Sequence, residues 1–156
     1  MESSPASVFG FEKEYAADLH FMPVGIRYRL DLAGLKVSLD AWLRLSVPER
    51  FELLEMGVES DREIGLFRAK MVSALLNAGA GTPPVLAPLD PADWSKGAPI
   101  PECVRRAAAA DGISLAGLDW PALSDSRRYA LWKLSLSRRQ PEAFQKAVAE
   151  FAGPPG

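Results

Sequence analysis

A chain of 156 residues, 48% apolar and 24% charged with a formal net charge of −2, has the composition of one ordinary globular domain rather than a disordered or fibrous protein. That balance supplies no general attraction to nucleic acid or anionic membrane, either of which needs a concentrated cationic surface. The single cysteine, Cys103, excludes an internal disulfide, and no apolar run approaches the roughly 18 residues of a membrane span.

In chain order, residues 1–8 read as a loose tail of small and polar residues, without the basic and apolar regions of a secretion signal, and a cytoplasmic protein is expected. Pro23 suits the first turn of a helix running to Ala33, with Gly34 just past its end. Ser38 is placed to cap a short helix carrying Trp42 and Leu45. Ser46 and Glu49 have capping-box spacing, with Pro48 in the first turn of a helix through about Met56. Ser60 and Glu63 repeat that spacing, and the helix after them sets Ile64, Phe67, Met71 and Leu75 on one face.

Residues 79–100 hold three Gly and five Pro and cannot continue a helix. Trp94 within them is expected to dock onto the body and pin the connection, because an exposed indole leaves a large apolar area in water. Pro101 then starts a helix through the alanines 107–110, stopped by Gly112. A short segment carries Leu115, Leu118 and Trp120. Ser124 caps a helix with Leu131, Trp132, Leu134 and Leu136, and Pro141 opens a last helix with Phe144, Val148 and Phe151 on one face, ended by Gly153-Pro154-Pro155-Gly156. No segment shows sustained period-2 alternation, so no strand is expected.

The second set of elements repeats the first at an offset of 78 residues. Without a gap, residues 22–54 and 100–132 share 8 identities in 33 positions: Pro23, Arg27, Gly34, Trp42, Leu45, Ser46, Arg50 and Leu53 recur as Pro101, Arg105, Gly112, Trp120, Leu123, Ser124, Arg128 and Leu131. The expected fold is therefore all-α: a single helical domain over 9–153, made of two pseudo-repeated units (about 22–78 and 100–152) joined by a Pro-rich crossover at 79–99. Trp42 and Trp120 are expected in its core.

Candidate chemistry is sparse. His20 and Cys103 are each the sole residue of their type, too few for a zinc site. As a nucleophilic pair they would need proximity, and nothing around Cys103 resembles a nucleophile loop. Gly79-Ala80-Gly81 lacks the lysine of a phosphate loop. The carboxylates Glu12, Glu14, Asp18, Asp31 and Asp40 read as a solvated face, Asp31 lying one helical turn after Arg27. The basic cluster Arg127-Arg128 with Arg138-Arg139 reads the same way. Arg27, Arg50, Arg105 and Arg128 stand out because they recur at matched positions. They either clamp an anion or a partner through bidentate guanidinium contacts, or tie down helix ends.

Two blocks resemble a known family. Phe9-Gly10-Phe11-Glu12, Leu19 to Pro23, Arg27-Tyr28-Arg29-Leu30-Asp31 and Gly34 to Leu39 leading to Trp42 form the first. Trp120 with Leu123 and Arg128-Tyr129-Ala130-Leu131-Trp132-Lys133-Leu134-Ser135 form the second. Together they resemble the nitrate reductase associated protein family, over about Phe9 to Phe151. The chain departs from that pattern at Phe21, where the family often has cysteine, and near Arg139-Gln140-Pro141, where a His-Glu-Asn stretch tends to occur. Those departures argue against a catalytic role for either element. The resemblance implies small bacterial proteins associated with assimilatory nitrate reductase and molybdopterin-cofactor genes, without an established activity. It implies a non-catalytic accessory protein with no cofactor of its own, whose partner is nitrate reductase or a cofactor-maturation protein. The rival is a small enzyme or binder acting on an anionic metabolite through the paired arginines. A nucleic-acid-binding regulator would need a contiguous basic face, which the charge balance disfavours.

Overall fold

The computed structural model describes residues 19–87, 94, 95, 97, 99–136 and 141–152. The tail expected at 1–8 and the expected terminator at 153–156 lie outside them. The fold is all-α. The described residues contain α1 (Val24–Ala33), α2 (Leu39–Leu43), α3 (Val47–Glu55), α4 (Asp61–Asn77), α5 (Glu102–Asp111), a 3₁₀ turn (Trp120–Ala122), α6 (Asp125–Leu136) and α7 (Pro141–Phe151). The chain divides into two compact units, Met1–Asp90 and Pro91–Gly156.

In the first unit, local chemistry sets the helix ends. Pro23 sits one residue before the helix rather than inside its first turn, and its carbonyl accepts from the amides of Ile26 and Arg27. Gly34 ends α1 at φ 73°, a left-handed conformation that glycine adopts without a Cβ clash. The Ser38 hydroxyl accepts from the Ala41 amide, but α2 closes at Leu43 and leaves Leu45 beyond it. At α3 the capping box is complete: Ser46 Oγ accepts from the Glu49 amide at 3.3 Å, and Glu49 Oε1 accepts from the Ser46 amide at 2.9 Å. Ser46→Ala is expected to cost about 1 kcal/mol, read as a lowered urea midpoint. The second expected box forms only by half. Ser60 Oγ accepts from the Glu63 amide, whereas Glu63 Oε1 reaches the amide of Glu59 instead of Ser60.

α1 packs on α3 and α4, and α3 packs on α4. Leu19, Ile26, Ala33, Trp42, Leu53, Leu54, Phe67 and Met71 are fully buried in their shared core. Residues 84–86 return alongside the end of α1: Leu35 and Val85 form an isolated antiparallel bridge, with the Lys36 amide on Pro84 O and the Leu86 amide on Gly34 O. Residues 84–86 of the Pro-rich connection are thereby tied to the first unit.

The second unit packs α6 against both α5 and α7, with α5 touching α7. Its buried side chains include Val104, Ala107, Trp120, Tyr129, Leu131, Phe144 and Val148. Trp94 is buried as expected, edge-on to Tyr129 at 5.1 Å and tilted against Trp132 at 4.9 Å between ring centroids. α5 ends on Gly112 at φ 67°, and α6 begins after Ser124, whose hydroxyl accepts from the Arg127 amide.

Several boundaries recur at the 78-residue spacing: α1 and α5 occupy Val24–Ala33 and Glu102–Asp111, and α3 and α6 start at Val47 and Asp125. The match breaks where α2 corresponds to a 3₁₀ turn. Pro121 stands at the position of Leu43, and a proline has no amide with which to continue an α-helix.

Candidate functional site: the matched arginines and the outer face of α4

The four arginines divide by depth rather than by repeat. Arg27 on α1 and Arg105 on α5 are exposed. Arg105 Nη2 lies 2.6 Å from Glu102 Oε1, and Arg106 Nε bonds the other oxygen of the same carboxylate at 3.2 Å. These two cations, Arg105 foremost, hold the Glu102 carboxyl below the usual carboxylate range. Arg50 and Arg128 are buried, with 8% and 2% of their surface exposed. Arg50 Nη2 donates to Leu43 O at 2.9 Å. Arg128 donates through Nε to Trp94 O at 2.7 Å and through Nη1 to Trp120 O and Leu123 O, while Nη2 meets the Asp125 carboxylate. Both guanidinium groups therefore bind the backbone carbonyls that precede their own helix.

Two further arginines were not singled out by sequence reasoning. Arg29 is buried and bonds Met56 O through Nε and Gly25 O through Nη1, at 2.8 and 2.9 Å. Burial lowers its pKa to about 10, with Tyr28 opposing the shift, so it stays charged at neutral pH. Arg68 on α4 places Nε and Nη2 on Ala33 O, at 2.8 and 2.5 Å, at the C-terminus of α1, where a helix dipole favours a cation.

The remaining candidates carry less. His20 is exposed, its ring 6.0 Å from that of Phe21, and Cys103 is half-buried on α5. Asp31 is half-buried and Asp40 exposed, whereas Glu12, Glu14, Asp18, Arg138 and Arg139 lie outside the described residues. Arg127 places its guanidinium 5.1 Å above the Phe151 ring. Among the described residues, no group of three or more His, Cys, Asp or Glu side chains is placed to hold a metal, and no helix is long and apolar enough to cross a membrane.

α4 presents an open depression at the surface. Its inner face buries Phe67, Met71, Ala74 and Leu75. The opposite face carries an open groove of about 520 Å³, running from Gly65 past Arg68, Ala69 and Val72 to Leu76 and Asn77. Leu66 and Leu76 are each 51% exposed. A helix apolar on two faces has a partner on one of them here, its own core, and an apolar surface in water on the other.

A family model described as the conserved nitrate reductase-associated protein matches residues 8–151. No curated protein and no solved structure matches the sequence.

Proposed function

Since the chain belongs to the conserved nitrate reductase-associated proteins, we propose that it is a non-catalytic, cytoplasmic accessory that acts by docking onto nitrate reductase in nitrate assimilation. Nearly the whole chain falls within the family match, which supports reading it as one working unit. The observation that carries docking is the apolar groove along α4, because a soluble chain that keeps leucines half in water beside an open cleft resembles one half of an interface. A cofactor-maturation protein is the second partner that fits this reading.

The arginines enter the reading in two parts. Arg50 and Arg128 act as scaffold, since their guanidinium groups bind carbonyls. Of the two exposed arginines, Arg105 is paired with Glu102, and Arg27 is left for an anion or a partner. The two units are taken as copies of one helical unit, supported by the helix boundaries and left-handed glycines shared at the 78-residue spacing. An experimental structure in which 23–56 and 101–134 fail to superpose would remove that idea.

The test is calorimetric titration of the purified chain into purified nitrate reductase. Saturable heat is expected, with little change on Arg27→Lys. Absence of binding overturns nitrate reductase as the partner, and absence of binding to the cofactor-maturation proteins as well overturns the accessory reading. Saturable heat with nitrate or phosphate instead, abolished in Arg27→Lys, supports the anion-binding rival, because lysine keeps the charge but loses the bidentate fork.

A further inference from the structure

We propose that the outer face of α4 receives an amphipathic helix of the partner that carries carboxylates beside its apolar stripe. This rests on the accessory reading above and specifies its surface and the chemistry of its partner. Gly65, Ala69, Val72 and Leu76 fall at i, i+4, i+7 and i+11, on one side of the helix and away from the buried Phe67 and Met71. With small residues at 65, 69 and 73, a second helix axis can come close, because interaxial distance follows the side chains at the crossing. The apolar surface continues beyond the groove. Arg68 is held on Ala33 O, the next carbonyl along receives the Leu86 amide, and Val85 and Leu86 are 72% and 51% exposed. The groove therefore offers the apolar anchors that a helix-in-groove complex uses.

Charge selects the occupant. From Ile64 to Leu89 the only charged residues are Arg68 and Lys70, both basic, whereas Arg62 before them is flanked by Asp61 and Glu63 and adds no net positive charge. Lys70 reaches Glu52 at 3.7 Å across an exposed gap, whereas Arg68 uses only Nε and Nη2 on Ala33 O, so Nη1 can meet a carboxylate at the groove wall. A second copy of this chain fits poorly. Crossing antiparallel about Ala69, it would bring Arg68 and Lys70 of one chain beside the same two cations of the other, and like charges at an interface reject a partner.

The experiment uses the full chain and purified nitrate reductase. Leu76→Glu is expected to weaken binding at least about tenfold and Leu76→Lys distinctly less, both with an unchanged urea midpoint because Leu76 is exposed. A photo-crosslinking phenylalanine derivative introduced at position 76 is expected to label a helical peptide containing several Asp or Glu. Wild-type binding that ignores both Leu76 variants overturns the groove and leaves the accessory reading standing, whereas no wild-type binding removes nitrate reductase as the partner and this proposal with it. Leu76→Lys weaker than Leu76→Glu, or crosslinking to a basic or extended peptide, overturns the acidic helix. A dimer in sedimentation that Leu76→Glu splits makes a second copy the occupant, against the proposal.

Discussion

Replacing Arg128 by methionine is expected to cost about 2–5 kcal/mol of stability, the scale set by two buried carbonyls that lose their donor. Arg128 is 2% exposed, and its guanidinium serves the carbonyls of Trp94, Trp120 and Leu123, which come from two separate stretches of chain, the one around Trp94 and the 3₁₀ turn that Leu123 closes. Methionine fills part of the volume but donates nothing; Trp120 O keeps the Leu123 amide, whereas Trp94 O and Leu123 O lose the guanidinium, each at a desolvation cost of about 1–3 kcal/mol unless water enters. The Asp125 contact adds little, because that carboxylate is 69% exposed and is solvated once the arginine is gone. Arg128→Lys should fall between wild type and methionine, since one ammonium cannot reproduce the fork that spans Trp94 O and Leu123 O. Urea unfolding gives the magnitude, and a red shift of tryptophan emission in the folded baseline should accompany it as Trp94 loses its anchor. A loss under about 1 kcal/mol would mean that these bonds contribute little and would return Arg128 to the binding candidates. Lowered stability with unaltered nitrate reductase binding is the pattern expected of scaffold.

The helix ends were legible because capping is decided within four residues. Ser38, Ser46, Ser60 and Ser124 all cap, and Gly34 and Gly112 both stop their helices in the left-handed region. The recurrence of arginines was legible too, but not their depth. Arg50 reaches Leu43 O seven residues back and Arg128 reaches Trp94 O thirty-four back, and spacing alone does not separate a buried fork from an exposed one. The pairing of residues 84–86 with 34–36 left no period-2 signal, since it involves a single bridge. The groove on α4 did leave a signal. Between Ile64 and Asn77 apolar and small residues occupy both faces, with Arg68 and Lys70 as the only charges, which is more than one buried stripe requires. Attention to Ile64, Phe67, Met71 and Leu75 accounts for the inner face alone.

Trp42→Ala is expected to destabilise the first unit by about 3–5 kcal/mol, as for other large aromatic truncations in cores. The indole is fully buried, and its N–H lies 2.8 Å from Leu19 O and 2.9 Å from Phe21 O, so it holds the chain entering α1 as well as filling the core. Leu19 is the one non-glycine residue with positive φ among those described, at 52°, a conformation that costs a leucine of order 1 kcal/mol. Two opposing terms meet there: the fully buried Leu19 side chain and the Trp42 bond favour the turn, and the backbone resists it. Trp42→Phe separates them. Phenylalanine keeps most of the buried ring but removes the shared donor, so it should cost less than alanine while accelerating amide exchange over residues 19–22 more than elsewhere in the unit. Equal costs for Trp42→Phe and Trp42→Ala would assign the whole effect to the hydrogen bonds. A cost under about 1 kcal/mol for Trp42→Ala would remove Trp42 from the core altogether. Trp120, buried with its N–H 3.0 Å from Ser95 O, should repeat the result in the second unit, where alanine would release the residues leading to α5.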